Sequence, residues 1–170
     1  MKKTLTALAI AMLICGTAYA AAQDVKECTV SINVPGNFYL DLGAAWIDFG
    51  TIQDGNSTPT KNLTIRTISS TGNSWDLKFK NTALASETDP TDVILPANTY
   101  VQFNKDGSAT GTSPYATTSH LPGPVDAILY ASGTHETGNL NHTLVLSAYV
   151  PVGQPAGFYK SIVTFTMVER

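Results

Sequence analysis

The sequence predicts an all-β chain, and three observations predict it. Apolar and polar residues alternate with a period of two through several segments, which sets one side of each against a core and the other in water. Turn-forming clusters separate those segments at Pro35-Gly36-Asn37, Gly50, Asp54-Gly55-Asn56, Thr71-Gly72-Asn73, Asp106-Gly107 and Pro151-Val152-Gly153. Residues of these types end strands because they supply turn conformations or remove a ladder donor. No window of helical length past the first apolar run carries a stripe at 3.6-residue spacing.

The chain opens on a segment of a different kind. Lys2 and Lys3 precede an apolar run from Leu5 to Cys15, and Gly16-Thr17 leads to Ala18-Tyr19-Ala20. This is the three-part build of a secretory signal peptide, residues 1–20, and it predicts export to the periplasm, the cell surface or the medium. The run is about a dozen residues, short of the roughly 20 that span a bilayer. Cys15 follows Ile14 rather than a small residue, which argues against a lipid-modified cysteine. Cleavage is expected after Ala20, with Ala22 the near alternative, leaving residues 21–170 as one domain by length.

The strand candidates then follow in order. Cys28, Val30, Ile32 and Val34 alternate with Thr29, Ser31 and Asn33; shorter candidates lie at 38–42, 46–49 and 63–68. Trp75, Leu77 and Phe79 alternate with Asp76, Lys78 and Lys80, and short apolar stretches recur at 100–103 and 127–130. Leu144, Leu146, Ala148 and Val150 form the next alternating set, and Tyr159, Ser161, Val163, Phe165 and Met167 the last. Several short strands with such punctuation make an immunoglobulin-like antiparallel β-sandwich of about seven to nine strands. Trp46, Trp75, Phe79 and Phe165 are the expected core anchors, since large rings bury the most apolar area. A tryptophan found exposed would instead favour a sugar-stacking site.

Residues 104–125 stand apart, rich in Gly, Ser, Thr and Pro. A loop of that length in a compact domain is either mobile or functional, and Tyr115, His120 and Leu121 are its candidate contact residues. Chemistry is sparse elsewhere. His135-Glu136 with His142 matches no helical zinc spacing, so all three histidines, His120 included, are expected to be solvated loop residues. Asn104-Lys105-Asp106-Gly107-Ser108 resembles the start of a calcium loop, but Tyr115 stands where the closing carboxylate belongs. Serines are plentiful, yet none lies in a Gly-x-Ser-x-Gly turn. A non-enzymatic protein without cofactor or metal is expected.

Charge and cysteine content narrow the partners. The net charge of −3 becomes −5 once Lys2 and Lys3 leave with the leader. An acidic chain without a basic patch is a poor ligand for nucleic acid or an anionic membrane. Of the two cysteines, Cys15 also leaves, so the mature chain has no internal disulfide. Cys28 either pairs between chains, stays a free thiol, or packs as a small hydrophobe.

Two segments carry a resemblance. Trp75-Asp76-Leu77 in the first half, and Gly157-Phe158-Tyr159 through Val163-Thr164-Phe165-Thr166-Met167 near the end, resemble the two signatures of WxL surface domains. Phe165 stands where that family has its second tryptophan and Met167 where it has leucine. The same ending is similar to the last strand of fimbrial (pilin) subunits. The resemblance implies an exported, non-enzymatic cell-surface protein of structural or adhesive role. Its partner would be protein, by self-association or with other envelope proteins, or cell-wall carbohydrate. WxL domains attach non-covalently to the wall, whereas fimbrial subunits polymerise by adding a strand to a neighbour's open edge.

Overall fold

The structure is a computed structural model and describes residues 36–170. The leader and the alternating segment Cys28–Val34, with its lone cysteine, lie outside the described residues.

The described chain is all-β and antiparallel. Its strands are β1 (Phe38–Leu42), β2 (Lys61–Ser69), β3 (Trp75–Asn81), β4 (Leu84–Ser86), β5 (Val93–Ile94), β6 (Thr99–Asn104), β7 (Ser119–His120), β8 (Ala127–Ala131), β9 (Gly138–Ala148), β10 (Tyr159–Lys160) and β11 (Val163–Glu169). A single 3-10 turn at Pro96–Asn98 interrupts them. Seven of these eleven strands are five residues or longer, and the others are fragments of two or three. The expected seven to nine therefore match the long strands, and the excess is fragments too short to show a period.

Two sheets form the sandwich. One runs β1-β2-β9-β6-β7, the other β11-β3-β8, and a small third sheet runs β10-β4-β5. β2 and β9 make the longest ladder, from Lys61 opposite Leu146 to Ser69 opposite Gly138. Its inward row is Leu63, Ile65, Thr67 and Ser69 on β2, and Leu140, His142, Leu144, Leu146 and Ala148 on β9, all buried. The facing sheet contributes Trp75, Leu77 and Phe79, again at every second position. Period two thus selected the core, as expected for strands with one face on a partner sheet.

β8 departs from the alternation for a local reason. The β3–β8 register slips between Leu77 and Lys78, with Leu77 opposite Tyr130 and Lys78 opposite Ile128. The extra residue is Leu129, and this bulge lets the consecutive Leu129 and Tyr130 both be fully buried.

Two expectations about single elements fail. Residues 46–49 form no strand, and Trp46 is 65% exposed rather than a core anchor. The preceding Gly43 still donates to the Thr64 carbonyl at 2.8 Å, after which the chain leaves the sheet and Trp46 has no facing layer. Phe165 is only partly buried, because its strand is the edge of its sheet.

Candidate functional site

The two sides of the sandwich are finished differently. On one side the edge strands are β6 with β7, and β8. The long loop crosses between them: Phe103 N–H donates to Tyr115 O at 2.7 Å, and Thr112 and Ala131 exchange backbone bonds of 2.8 and 2.9 Å. Ser113 Oγ adds a bond to Leu129 O. The long loop is therefore a cover for two sheet edges, which would otherwise expose unpaired backbone groups.

Its candidate contact residues follow from that role. Leu121 is buried at 6% exposure, and Tyr115 packs edge-on against Phe79 with ring centroids 5.0 Å apart. Only His120 stays exposed, 4.9 Å from the Tyr100 ring across the β6–β7 pair. Gly, Ser and Thr in this segment serve close packing. At Gly111 a Cβ would lie 2.1 Å from the Ala131 carbonyl oxygen.

On the opposite side no hydrogen-bonded loop joins the sheet edges among the described residues, although Ile47 and Phe49, just past β1, pack against the core. There the edges are β1 and β11, each paired on one flank only. Both turn an apolar row inward. On β11 the row is Val163, Phe165 and Met167, all partly buried. On β1 it is Phe38, Leu40 and Leu42, in register with the buried Ser69, Thr67 and Ile65; Phe38 and Leu42 are each 36% exposed. No hydrogen bond joins the two strands among the described residues, although their Cα atoms approach within 8 Å in places. The result is a seam with apolar walls, narrow where β1 and β11 approach, whose two strand edges are unpaired among the described residues.

The seam places the residues that carried the family resemblance. β3 and β11 are paired neighbours, so Leu77 stands opposite Met167 and Phe79 opposite Phe165. Trp75 and Leu77 are fully buried, while Phe165 and Met167 form the seam wall. Tyr159 lies on β10 and donates its hydroxyl to Pro155 O at 2.7 Å; Gly157 is an exposed turn residue beside Ser86. At one end of the seam, just past β1, Lys160 Nζ sits 5.6 Å over the Trp46 ring and pairs with Glu87.

A buried polar cluster lies inside the sandwich. Glu136 is 6% exposed; its Oε1 accepts from Thr110 N–H at 3.0 Å and its Oε2 from Gly133 N–H at 2.8 Å. Tyr130 donates its hydroxyl to the same carboxylate at 2.7 Å and accepts from Gly111 N–H at 2.8 Å. Burial, and then the Glu136 carboxylate, push the Tyr130 phenol well above its ordinary range. The Trp75 indole donates to Glu136 O at 3.3 Å.

His142, like Tyr130, is fully buried, at 0% exposure. Its Nδ1 accepts from Asp106 N–H at 3.1 Å, which leaves Nε2 to carry the proton toward Thr67 Oγ1 at 3.2 Å. Burial holds its pKa down at about 4 against the upward pull of Asp106 and Glu136. Asp106 itself is lowered to about 2, first by the Ser108 hydroxyl and then by the backbone N–H groups of Asn141 and Ser108. Asp106-Gly107 is thus a capped turn.

These groups correct the expectation of three solvated histidines. His120 and His135 are exposed; His142 belongs to the core. The signal that could have found it is the β9 alternation, which runs back from Leu144 through His142 to Leu140. His135 turns away to the Gly72 carbonyl, so His135, Glu136 and His142 do not converge on one point. Every polar atom of the Glu136 carboxylate faces a donor inside the protein, and the cluster works as a staple binding the loop to β8 and β9.

No protein-family model matches the chain, and no curated protein matches it.

Proposed function

We propose that this chain is a non-enzymatic, exported structural subunit of a bacterial cell envelope, and that it assembles by accepting an extended strand from a second copy along β11. The observation that carries this reading is the seam. β11 offers an edge that is unpaired among the described residues, above a half-covered apolar row of Val163, Phe165 and Met167, the kind of edge that β-augmentation uses. Main-chain bonds would supply affinity, and the spacing of the row would select a strand with an apolar residue at every second position.

One segment of that pattern lies outside the described residues, Cys28–Val34 with Cys28, Val30, Ile32 and Val34. It is seven residues long, the length of β11. Where β1 comes within 8 Å of β11, the gap is below the roughly 9.6 Å of two strand spacings. An incoming strand therefore spreads the edges. The buried titratable groups support a non-enzymatic role, since Glu136, Tyr130 and His142 are engaged with one another, with Thr67 or with backbone.

The test is light scattering on the purified protein, with Ile32→Asp and Cys28→Ser versions beside it. A ladder of assemblies in wild type and Cys28→Ser, collapsed to monomer by Ile32→Asp with unchanged thermal melting, is the expected result. A wild-type monomer would show that the seam is filled within one chain or left open, and would overturn the reading. A ladder dissolved by reductant and absent from Cys28→Ser would replace strand exchange with a disulfide link.

A further inference from the structure

The pole of the seam carries a second feature, independent of strand acceptance. Trp46 is 65% exposed and Phe158 79% exposed. Singly exposed rings are common on protein surfaces; what marks these two is that both connect to one ion pair. Phe158 O accepts from Glu87 N–H at 2.9 Å, which fixes that ring's backbone beside Glu87. Lys160 follows two residues later, at the end of β10. Its ammonium lies 5.6 Å over the Trp46 ring and is paired with the Glu87 carboxylate. The exposed strip is thus Trp46, Lys160, Glu87 and Phe158, with Trp46 joined to the ion pair through the Lys160 ammonium and Phe158 through its backbone bond to Glu87.

We infer that this strip is a binding site for a neutral pyranose oligosaccharide. A pyranose has a flat apolar C–H face and a rim of hydroxyls. The ring faces of Trp46 and Phe158 match the first, and Glu87 as acceptor with Lys160 as donor match the second. With Lys160 over one face of the indole, the exposed remainder of Trp46 offers the other for stacking. The alternatives fit less well. A protein or lipid surface would meet a continuous apolar patch, but here both rings connect to an ion pair. Lys160 and Glu87 cancel, so the strip has no net positive charge to attract phosphate or an anionic headgroup.

The two tryptophans make the test direct. Trp75 is 1% exposed and shielded, so iodide quenching of the fluorescence reports on Trp46. The purified protein is titrated with a panel of neutral oligosaccharides of glucose, galactose, mannose and N-acetylglucosamine. At least one is expected to bind and to protect Trp46 from iodide. Trp46→Ala and Phe158→Ala are expected to weaken that binding, read by calorimetry, by about tenfold each. Trp46→Phe should retain most of it, and Glu87→Gln should reduce it while leaving the ring protected. Because both rings are exposed, thermal melting should stay unchanged in all four variants. Failure of every oligosaccharide to bind overturns the inference, as does binding that survives Trp46→Ala undiminished.

Discussion

Lowering the pH from 7 to 5 should destabilise this fold through a single buried side chain. His142 has 0% exposure, and its two ring nitrogens are committed to Asp106 N–H and Thr67 Oγ1. Its pKa in the fold is about 4 against an ordinary value of 6.5. The unfolded chain therefore takes up a proton as pH falls through 6.5, while the folded chain does not until about 4. The stability this difference protects is fully present above pH 6.5 and is lost progressively as pH falls toward 4. Integrated to pH 5, the loss is about 2 kcal/mol. Urea titrations at pH 7 and pH 5, followed by tryptophan fluorescence, measure it under the two-state assumption. The comparison protein is His142→Gln, whose amide can accept from Asp106 N–H and donate to Thr67 but does not titrate. It should be less stable at pH 7, having lost contacts with the rings of Tyr130 and Phe103 at 4.9 and 5.1 Å. Its loss on acidification should be smaller than wild type by about 2 kcal/mol. The exposed His120 and His135 are present in both proteins and cancel. Equal losses in the two proteins would refute the assignment of His142 as a neutral core residue.

Three further outcomes test the packing around that residue. Gly111→Ala forces a Cβ to 2.1 Å from the Ala131 carbonyl and 2.5 Å from the Tyr130 hydroxyl; it should cost at least about 3 kcal/mol in chemical denaturation, because backbone cannot yield as a side-chain tip can. Glu136→Gln puts an NH2 group against either Thr110 N–H or Gly133 N–H, leaving a buried donor unpaired; a loss of about 1–3 kcal/mol is expected by the same measurement. Trp75→Ala should cost about 3–5 kcal/mol and Trp46→Ala less than about 0.5. Similar melting temperatures for the two tryptophan variants would contradict their 1% and 65% exposures.

The all-β class, most long strands and much of the core row were legible in the sequence because alternation is a local property. It needs only the pleat, which turns successive side chains to opposite faces, and turn residues that end each run. Trp75, Leu77, Phe79, Leu144 and Leu146 were found this way. What the period does not carry is which edge meets which. The seam exists because residues 104–125 return to β6 and β8 rather than to β1 and β11, a choice made by hydrogen bonds between residues far apart in sequence, such as Thr112 with Ala131. The same distance decided the errors. Trp46 looked like a core anchor and is exposed because no layer faces it; Leu121 and Tyr115 looked exposed and are covered because the loop folds inward. His142 looked solvated and is buried because Thr67 and the Asp106 backbone N–H, from two distant segments, satisfy its ring nitrogens. Sequence determined where each strand's two faces lie, while tertiary structure decided which of those faces find a partner, since burial depends on neighbours that no local pattern names.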